Sequence, residues 1–480
     1  MHSAIPFAPN GFPITVVAID TFVYRSQFDC SVEELYDFHK RPGALERLLP
    51  PWDGSEVLWK QGTIAPGSKV LVKLQQGPLK IKWEGHHIEE VPGVRFCDIQ
   101  HRGPFASYRH THSFFDSHPG ALLEDRIEFA LPIERFLPAA AHRQIKKTLA
   151  RLFVHREHIL REDLRLHGRY SQRPLRLLVS GASGVLGKVL VPMLTTGGHE
   201  VWTLVRRAPR PGCREIFWDP WNGLLTASQL PELDGVIHLA GEYITLKRWS
   251  EEKKQQVVES RRRGTWLLAK TISRLAKPPS VLLSASAVGY YGDGGSQWID
   301  EGAPCGDHFI SEVCQAWEWG TTPAAEAGIR TVQMRLGVAL TPRGGALQRM
   351  LTTDPFCIIR QFGDGKQYIS WMSVDDMVAA MLHCLVTPGL SGPVNIAAPQ
   401  PVSNSEMLAT LAQVADRPLA LSIPAALLKT LYGQMASELV LSGCRVSTKK
   451  LVDSGFTFRH PTLASALRAQ LGKTPAPDRG

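Results

Sequence analysis

The feature that most constrains this chain is the run at 175–187, Leu-Arg-Leu-Leu-Val-Ser followed by Gly181-Ala182-Ser183-Gly184-Val185-Leu186-Gly187. A short apolar run bounded by glycine reads as a buried parallel strand, and the glycine-free segment 188–194 that follows reads as a helix. Strand, tight turn and helix therefore follow without a gap. The three glycines have separate tasks: Gly181 turns the chain sharply, Gly184 lets backbone come close to a diphosphate, and Gly187 lets the helix lie close on the sheet. Negative charge is favoured at such a helix start, where N–H groups are unpaired and the dipole is positive.

A second strand, 199–205, ends about 20 residues after the glycines, where the adenosine ribose of a bound dinucleotide is read. Arg206 and Arg207 stand there instead of an acid. Arginine pairs with a 2′-phosphate, whereas Asp or Glu hydrogen-bonds a free 2′-hydroxyl, so the sequence predicts NADP(H) rather than NAD(H). The competing explanation is a pair of solvated surface arginines.

At 480 residues the chain is too long for one ordinary domain, and two or three are expected. The net charge of +9 would suit nucleic acid, but the basic residues are scattered, so no nucleic-acid partner is expected. The densest basic region, 143–169, reads as the solvated face of a helix. Cysteines stand singly at 30, 97, 213, 305, 314, 357, 384 and 444, a pattern of reduced thiols in a cytoplasmic protein. No 18-residue apolar run and no signal core are present, so no membrane span is expected.

Residues 1–18 read as a loose lead-in. Short extended segments then alternate with turn signals at 21–28, 55–58, 69–75, 80–90, 94–101, 107–116 and 122–130, interrupted by short helices at 32–40 and 43–48. Residues 138–166 carry apolar side chains at helical spacing. This order, and the stretch Phe28-Asp29-Cys30-Ser31-Val32-Glu33-Glu34-Leu35-Tyr36-Asp37-Phe38-His39, resembles the START-like helix-grip superfamily. The resemblance implies an α+β ligand-binding domain over 1–170 whose curved sheet and long helix enclose an apolar cavity; a lipid, another hydrophobic ligand or no occupant are all left open. His110 and His112 share a strand face, which makes a metal pair conceivable, but no carboxylate or cysteine stands beside them at ligand spacing, and they read as cavity-wall or surface residues; no metal ligands are assigned.

The polar stretch Gly168-Arg169-Tyr170-Ser171-Gln172-Arg173-Pro174 reads as a linker. After it, strands at 175–180, 199–205, 235–240, 280–285 and 331–336 alternate with helical segments, one of them at 260–275, which predicts a parallel sheet covered on both faces. Small residues end the strand at Leu239-Ala240-Gly241-Glu242, and hydroxyls end the strand that leads into Ser284-Ala285-Ser286-Ala287-Val288-Gly289-Tyr290-Tyr291. Small residues let a cofactor lie against backbone, and the hydroxyls can hold a substrate carbonyl or alcohol.

These pieces, with Ser260-Arg261, Gly264-Thr265, Trp317-Glu318, Arg335-Leu336-Gly337 and the segment from Trp371 to Asp376, resemble the extended short-chain dehydrogenase/reductases. More narrowly they look like the NAD-dependent epimerase/dehydratase-like branch with its own C-terminal domain. The resemblance implies a Rossmann doubly wound parallel sheet over 171–395 and a small domain over 396–480. It puts NADP(H) on Gly181, Ser183, Gly184, Val185, Leu186, Arg206, Leu239, Ala240, Gly241 and Glu242. In the C-terminal part Gln434 stands where the branch usually has an acid. Asp375 or Asp376 reads as an acid at a helix start, and Arg335 as either an anion contact or half of an internal ion pair.

The family's Tyr-x-x-x-Lys, in which tyrosine moves the proton and lysine lowers its pKa, has no counterpart. Phe309 and Val313 stand near those places, and no lysine occurs between Lys277 and Lys366. Two readings follow. In one, the chain is an NADP(H)-dependent oxidoreductase or epimerase-like enzyme acting on a small molecule, with Ser286, Tyr290 and Tyr291 as the catalytic candidates. In the other, it is a non-catalytic NADP(H)-binding sensor or scaffold coupled to the N-terminal ligand. Substrate, reaction direction and oligomeric state are left open.

Overall fold

A computed structural model describes residues 19–76, 79–132, 139–170, 173–244, 247–352 and 357–475; the lead-in expected at 1–18 lies outside the described residues. The chain divides into two compact units, Met1–Lys40 with Asp53–Glu157, and Arg41–Trp52 with His158–Gly480.

The first unit is built on β1 (Asp20–Phe28), α1 (Val32–Lys40), β2 (Glu56–Gln61), β3 (Lys69–Gln76), β4 (Leu79–Val91), β5 (Arg95–Arg102), β6 (Ser107–Ser117) and β7 (Gly120–Ala130), while α2 (Ala44–Leu48) belongs to the second unit. The seven strands form one antiparallel sheet in the order β1-β7-β6-β5-β4-β3-β2. Period-two alternation decides which face is buried: along β7, Ala121, Leu123, Asp125, Ile127 and Phe129 point inward. Helix α1 buries Leu35, Tyr36, Phe38 and His39. Helix α3 (Ala139–Tyr170) gives this unit its residues up to Glu157, with Phe153 against Tyr24, Ile127 and Phe129.

Helix α3 runs on through Gly168, Arg169 and Tyr170, which corrects the reading of those three residues as linker. The last turn is held rather than frayed: Tyr170 Oη pairs with His383 Nδ1 at 2.8 Å, and Arg169 donates to the Gly455 carbonyl at 2.7 Å.

The second unit carries β8 (Arg176–Ser180), α4 (Gly187–Thr196), β9 (Glu200–Val205), β10 (Glu215–Phe217), β11 (Gly235–His238), α5 (Glu251–Ile272), β12 (Val281–Ala287), α6 (Phe309–Trp319), β13 (Arg330–Leu336), α7 (Val374–Val386) and β14 (Gly392–Ile396). The strands are parallel throughout, in the order β10-β9-β8-β11-β12-β13-β14. This is a Rossmann-like doubly wound sheet, apolar on both faces, with Leu177 and Val179 packing to one side and Leu178 and Val236 to the other. The order reverses between β8 and β11, where open sheets of this kind leave a crevice at the strands' carboxyl ends. Helix α5 begins at Glu251, nine residues before the expected start at 260. Ser250 caps it by accepting from Lys253 N, with Glu251 and Glu252 in the first turn, a signal carried by polar residues rather than apolar periodicity.

Beyond β14 a smaller cluster packs around the fully buried Trp371, with Met407, Leu408, Leu411, Leu463 and Leu467. No helix among the described residues is long and apolar enough to cross a membrane.

Candidate functional site

The glycine turn lies at the reversal point of the sheet. Gly181 has φ +72°, and a Cβ there would stand 2.7 Å from the Leu239 carbonyl carbon and 2.8 Å from Ala240 N. Gly187 is equally confined: its Cβ would fall 2.3 Å from Gly181 O and 2.5 Å from Ala182 Cα. Only glycine lets the start of α4 sit this close to the turn. Ser180, ending β8, stitches the two central strands together, because its Oγ accepts from Leu239 N at 3.1 Å and Ala240 N at 3.3 Å and pairs with His238 Nδ1 at 2.6 Å. Ser183, Gly184 and Val185 are exposed, and no side chain caps α4. Lys188 N, Val189 N and Leu190 N are taken by the carbonyls of Gly184 and Leu186, so what the fold leaves exposed at this end is the turn that leads into the helix.

The two arginines beyond β9 differ. Arg207 grips Glu215 with both terminal nitrogens, at 2.8 and 2.6 Å, and Arg210 shares that carboxylate at 2.7 Å. These guanidinium groups override burial and hold Glu215 at about 2. Arg206 is exposed and, among the described residues, forms no hydrogen bond or ion pair.

On the other side of the turn lie Leu239, Ala240, Gly241 and Glu242. Glu242 is ion-paired with Lys253 at 2.8 Å, and its backbone N–H donates to Ser260 Oγ at 3.1 Å. Buried Arg261 donates to the Glu242 carbonyl at 3.0 Å and stacks on the Trp317 ring, 4.6 Å from its centroid. Burial pulls the guanidinium pKa down to about 10, because no carboxylate pairs with it among the described residues.

The serine and tyrosine candidates form one network. Ser286 donates to Glu318 Oε1 at 2.7 Å, and Arg335 grips Glu318 through Nε at 2.9 Å and Nη2 at 3.0 Å. Arg335 is thus half of an internal ion pair. Tyr291 donates to Asn395 Oδ1 at 2.8 Å and accepts from Arg335 Nη1 at 2.9 Å; burial pushes its phenol up to about 12 against the pull of Arg335. Tyr290 lies beneath the same guanidinium, 3.5 Å from Cζ to ring centroid, and its pKa is raised by burial while Arg335 opposes the rise. In the sequence Glu318 stood only as part of the Trp317-Glu318 piece of the family resemblance. The structure makes it the hub of this network, a role hidden by its distance from Ser286 and Arg335 along the chain.

The places of the missing tyrosine and lysine are apolar. Phe309 and Val313 are buried with Val257, Ile310 and Cys314. The start of α6 is served from the C-terminal region, where Glu438 accepts from Phe309 N at 3.2 Å and Ile310 N at 3.1 Å. Gln434 Nε2 in turn donates to Glu438 at 2.7 Å. An acid at 434 would face that carboxylate, so the amide suits this chain's way of capping α6. Asp376 likewise works at a helix start: its N–H donates to Ser373 Oγ at 3.0 Å, and its carboxylate accepts from Arg459 N at 2.7 Å and His460 N at 3.0 Å.

Known proteins resemble this chain. The NAD dependent epimerase/dehydratase family matches residues 177–397, and a domain of unknown function (DUF1731) matches 423–470. An epimerase family protein of Mycobacterium bovis is 36% identical over 289 residues, which is 60% of this chain and 95% of that protein. The crystal structure of the nucleoside-diphosphate sugar epimerase from Corynebacterium glutamicum superposes with a TM-score of 0.77 at 32% identity, covering 95% of this chain and 91% of that one. Human epimerase family protein SDR39U1, solved with NADPH, superposes with a TM-score of 0.57 at 30% identity, covering 62% of this chain and all of that one. With its glycine turn, its doubly wound sheet and the matching C-terminal region, the chain belongs to the NAD dependent epimerase/dehydratase family.

Proposed function

We propose that this chain binds NADP(H) in the crevice between β8 and β11 and serves hydride transfer on a small-molecule substrate. The observation that carries the reading is the uncapped start of α4 held against a turn in which Gly181 and Gly187 leave no room for a Cβ. That cradle suits a diphosphate, and the unengaged Arg206 suits a 2′-phosphate. The human relative solved with NADPH supports the same choice. When bound, the nicotinamide would supply hydride chemistry.

The chain's residues divide the remaining work. Ser180 fixes the Leu239–Ala240 backbone, and Glu318 holds the Ser286 hydroxyl in one orientation. Tyr291 spends its hydroxyl on Asn395 and Arg335. Tyr290 is engaged by Arg335 alone and is less buried than Tyr291, so it is the better proton carrier of the two. The nucleotide-sugar epimerase chemistry named for the Corynebacterium protein makes a sugar nucleotide the first substrate class to try. We assign the first unit, an antiparallel sheet with helices, to hydrophobic-ligand binding of the helix-grip kind, a reading that rests on its element order.

The test is calorimetry with NADPH and NADH, followed by NADPH oxidation assays on a panel of carbonyl compounds and nucleotide sugars. NADPH binding with turnover supports the enzyme; failure to bind either dinucleotide refutes the reading. The apolar packing at Phe309 and Val313 favours a second reading, a sensor or scaffold that binds NADP(H) without turnover. It requires that NADPH affinity depend on a ligand of the first unit, and independence of the two would refute it.

A further inference from the structure

On the core-facing side of the first unit's sheet, three strands present polar side chains where alternation calls for apolar ones. The antiparallel register sets Asp98 of β5 opposite His110 of β6, and His112 of β6 opposite Asp125 of β7. Residues two apart share a strand face, so all four side chains converge, and all four are buried. This corrects the sequence reading that His110 and His112 lack a neighbouring carboxylate: the acids arrive from the flanking strands.

Asp125 Oδ1 lies 3.0 Å from His110 Nε2 and 2.7 Å from His112 Nδ1, the second approach being off the N–H axis. One carboxylate oxygen therefore engages one nitrogen of each ring. The other two, His110 Nδ1 and His112 Nε2, face Asp98, whose Oδ2 stands 3.8 and 3.9 Å away. These gaps are too long for hydrogen bonds, and no other donor among the described residues reaches the Asp98 carboxylate. A buried carboxylate just out of reach of two imidazole nitrogens is costly unless something lies between them.

A cation fits that description. Metal–ligand bonds of about 2.0–2.1 Å put the donor atoms of a tetrahedral site roughly 3.4 Å apart, so the two measured gaps need to close by only about half an ångström. The three ligand atoms already lie within 4.8 Å of one another.

The other groups facing the cluster are His39 of α1, its ring centroid 5.8 Å from that of His112, His87 of β4, opposite Asp98 in register, and Arg156 of α3. Beside the two carboxylates the set holds one guanidinium, that of Arg156.

We propose that Asp98, His110 and His112 bind a divalent first-row transition ion, with Asp125 as the outer carboxylate that aims both imidazoles. A carboxylate bonded to the far nitrogen of a ligating histidine is the usual support for such a site. Three protein ligands leave a position open for water or an oxygen-donor ligand, and the two-histidine, one-carboxylate set suits zinc or ferrous iron.

The full-length protein, stripped with a chelator, would be titrated with Zn²⁺ by calorimetry and with Co²⁺ by visible absorption. One equivalent should bind, with d–d bands from Co²⁺. Asp98→Asn and His112→Gln should each weaken Zn²⁺ by about 100-fold or more, and Asp125→Asn by about 10–100-fold. His86→Gln serves as a control, because Glu84, His86 and His101 form a second, partly exposed group of the same residue types; it should change nothing. Circular dichroism would verify each fold, and if Asp98→Asn does not fold, Asp98→Glu should still bind with a shifted Co²⁺ spectrum. Absence of stoichiometric binding by folded wild-type protein, wild-type affinity in Asp98→Asn, or loss in His86→Gln instead would overturn the proposal.

Discussion

Replacing Arg47 with methionine should destabilise the second unit more than almost any other single change. Arg47 binds Asp163 through Nε at 2.6 Å and Nη2 at 3.0 Å, and Asp375 through Nη1 at 2.6 Å. Arg459 adds a bond to Asp163 at 2.8 Å, and Gln470 donates to Asp375 at 2.7 Å. The side chains of Arg47, Asp163, Asp375 and Arg459 are 4%, 0%, 7% and 6% exposed, so water does not screen the set. Removing one member of a buried pair costs about 3–5 kcal/mol. In a unit of this size that lowers Tm by on the order of 5 °C.

Acid should act through the same cluster. Burial alone would raise Asp163, but Arg47 and Arg459 hold it at about 2, and Asp375 is lowered in the same way. A carboxylate with a depressed pKa in the folded state stabilises the fold above its ordinary value and loses that contribution as pH falls through the folded value. For Asp163 the difference from 3.8 is worth about 2 kcal/mol, present above about pH 4 and lost on approach to pH 2. Denaturant unfolding of wild type and Arg47→Met between pH 7 and 2.5 measures both effects. A change below about 1 kcal/mol at pH 7, or an equally steep acid loss in the variant, would refute the reasoning.

Arg206→Ala should weaken NADPH by roughly 10–100-fold, the worth of a hydrogen bond to a charged group, and NADH far less, whereas Arg207→Ala should change NADPH little because Arg207 is engaged with Glu215. Calorimetry reads both. Gly187→Ala forces backbone apart at 2.3 Å and should cost about 1–3 kcal/mol while lowering NADPH affinity, measured by denaturant unfolding and titration. Gln434→Glu sets an acid against Glu438 and should lower the thermal midpoint at pH 8 more than at pH 4, a difference that scanning calorimetry resolves. Tyr291→Phe should lose about 1 kcal/mol of stability with NADPH affinity unchanged.

Local pattern made the sheets legible and hid most of the contacts. Strands of the first unit follow from alternation and turn residues, and the expected helix at 32–40 coincides with α1. The glycine turn was legible because Gly181 and Gly187 are dictated by close approach within a few residues. Contacts set by register or topology were not. Asp98 reaches His110 only through strand pairing, and Glu438 reaches the start of α6 from far along the chain. That α2 belongs to the second unit follows from Arg47 and its partners Asp163 and Asp375, which no local signal connects. The early start of α5 was readable in Ser250 and the acids after it, but its first turns lack the apolar period that was relied upon.

A crystal structure of the full chain grown with NADPH bears most directly on the central claim. The account predicts the diphosphate against the backbone of the glycine turn that leads into α4 and the 2′-phosphate within hydrogen-bond distance of Arg206. Density for the dinucleotide elsewhere, or a crevice closed by the protein's own side chains, would contradict it.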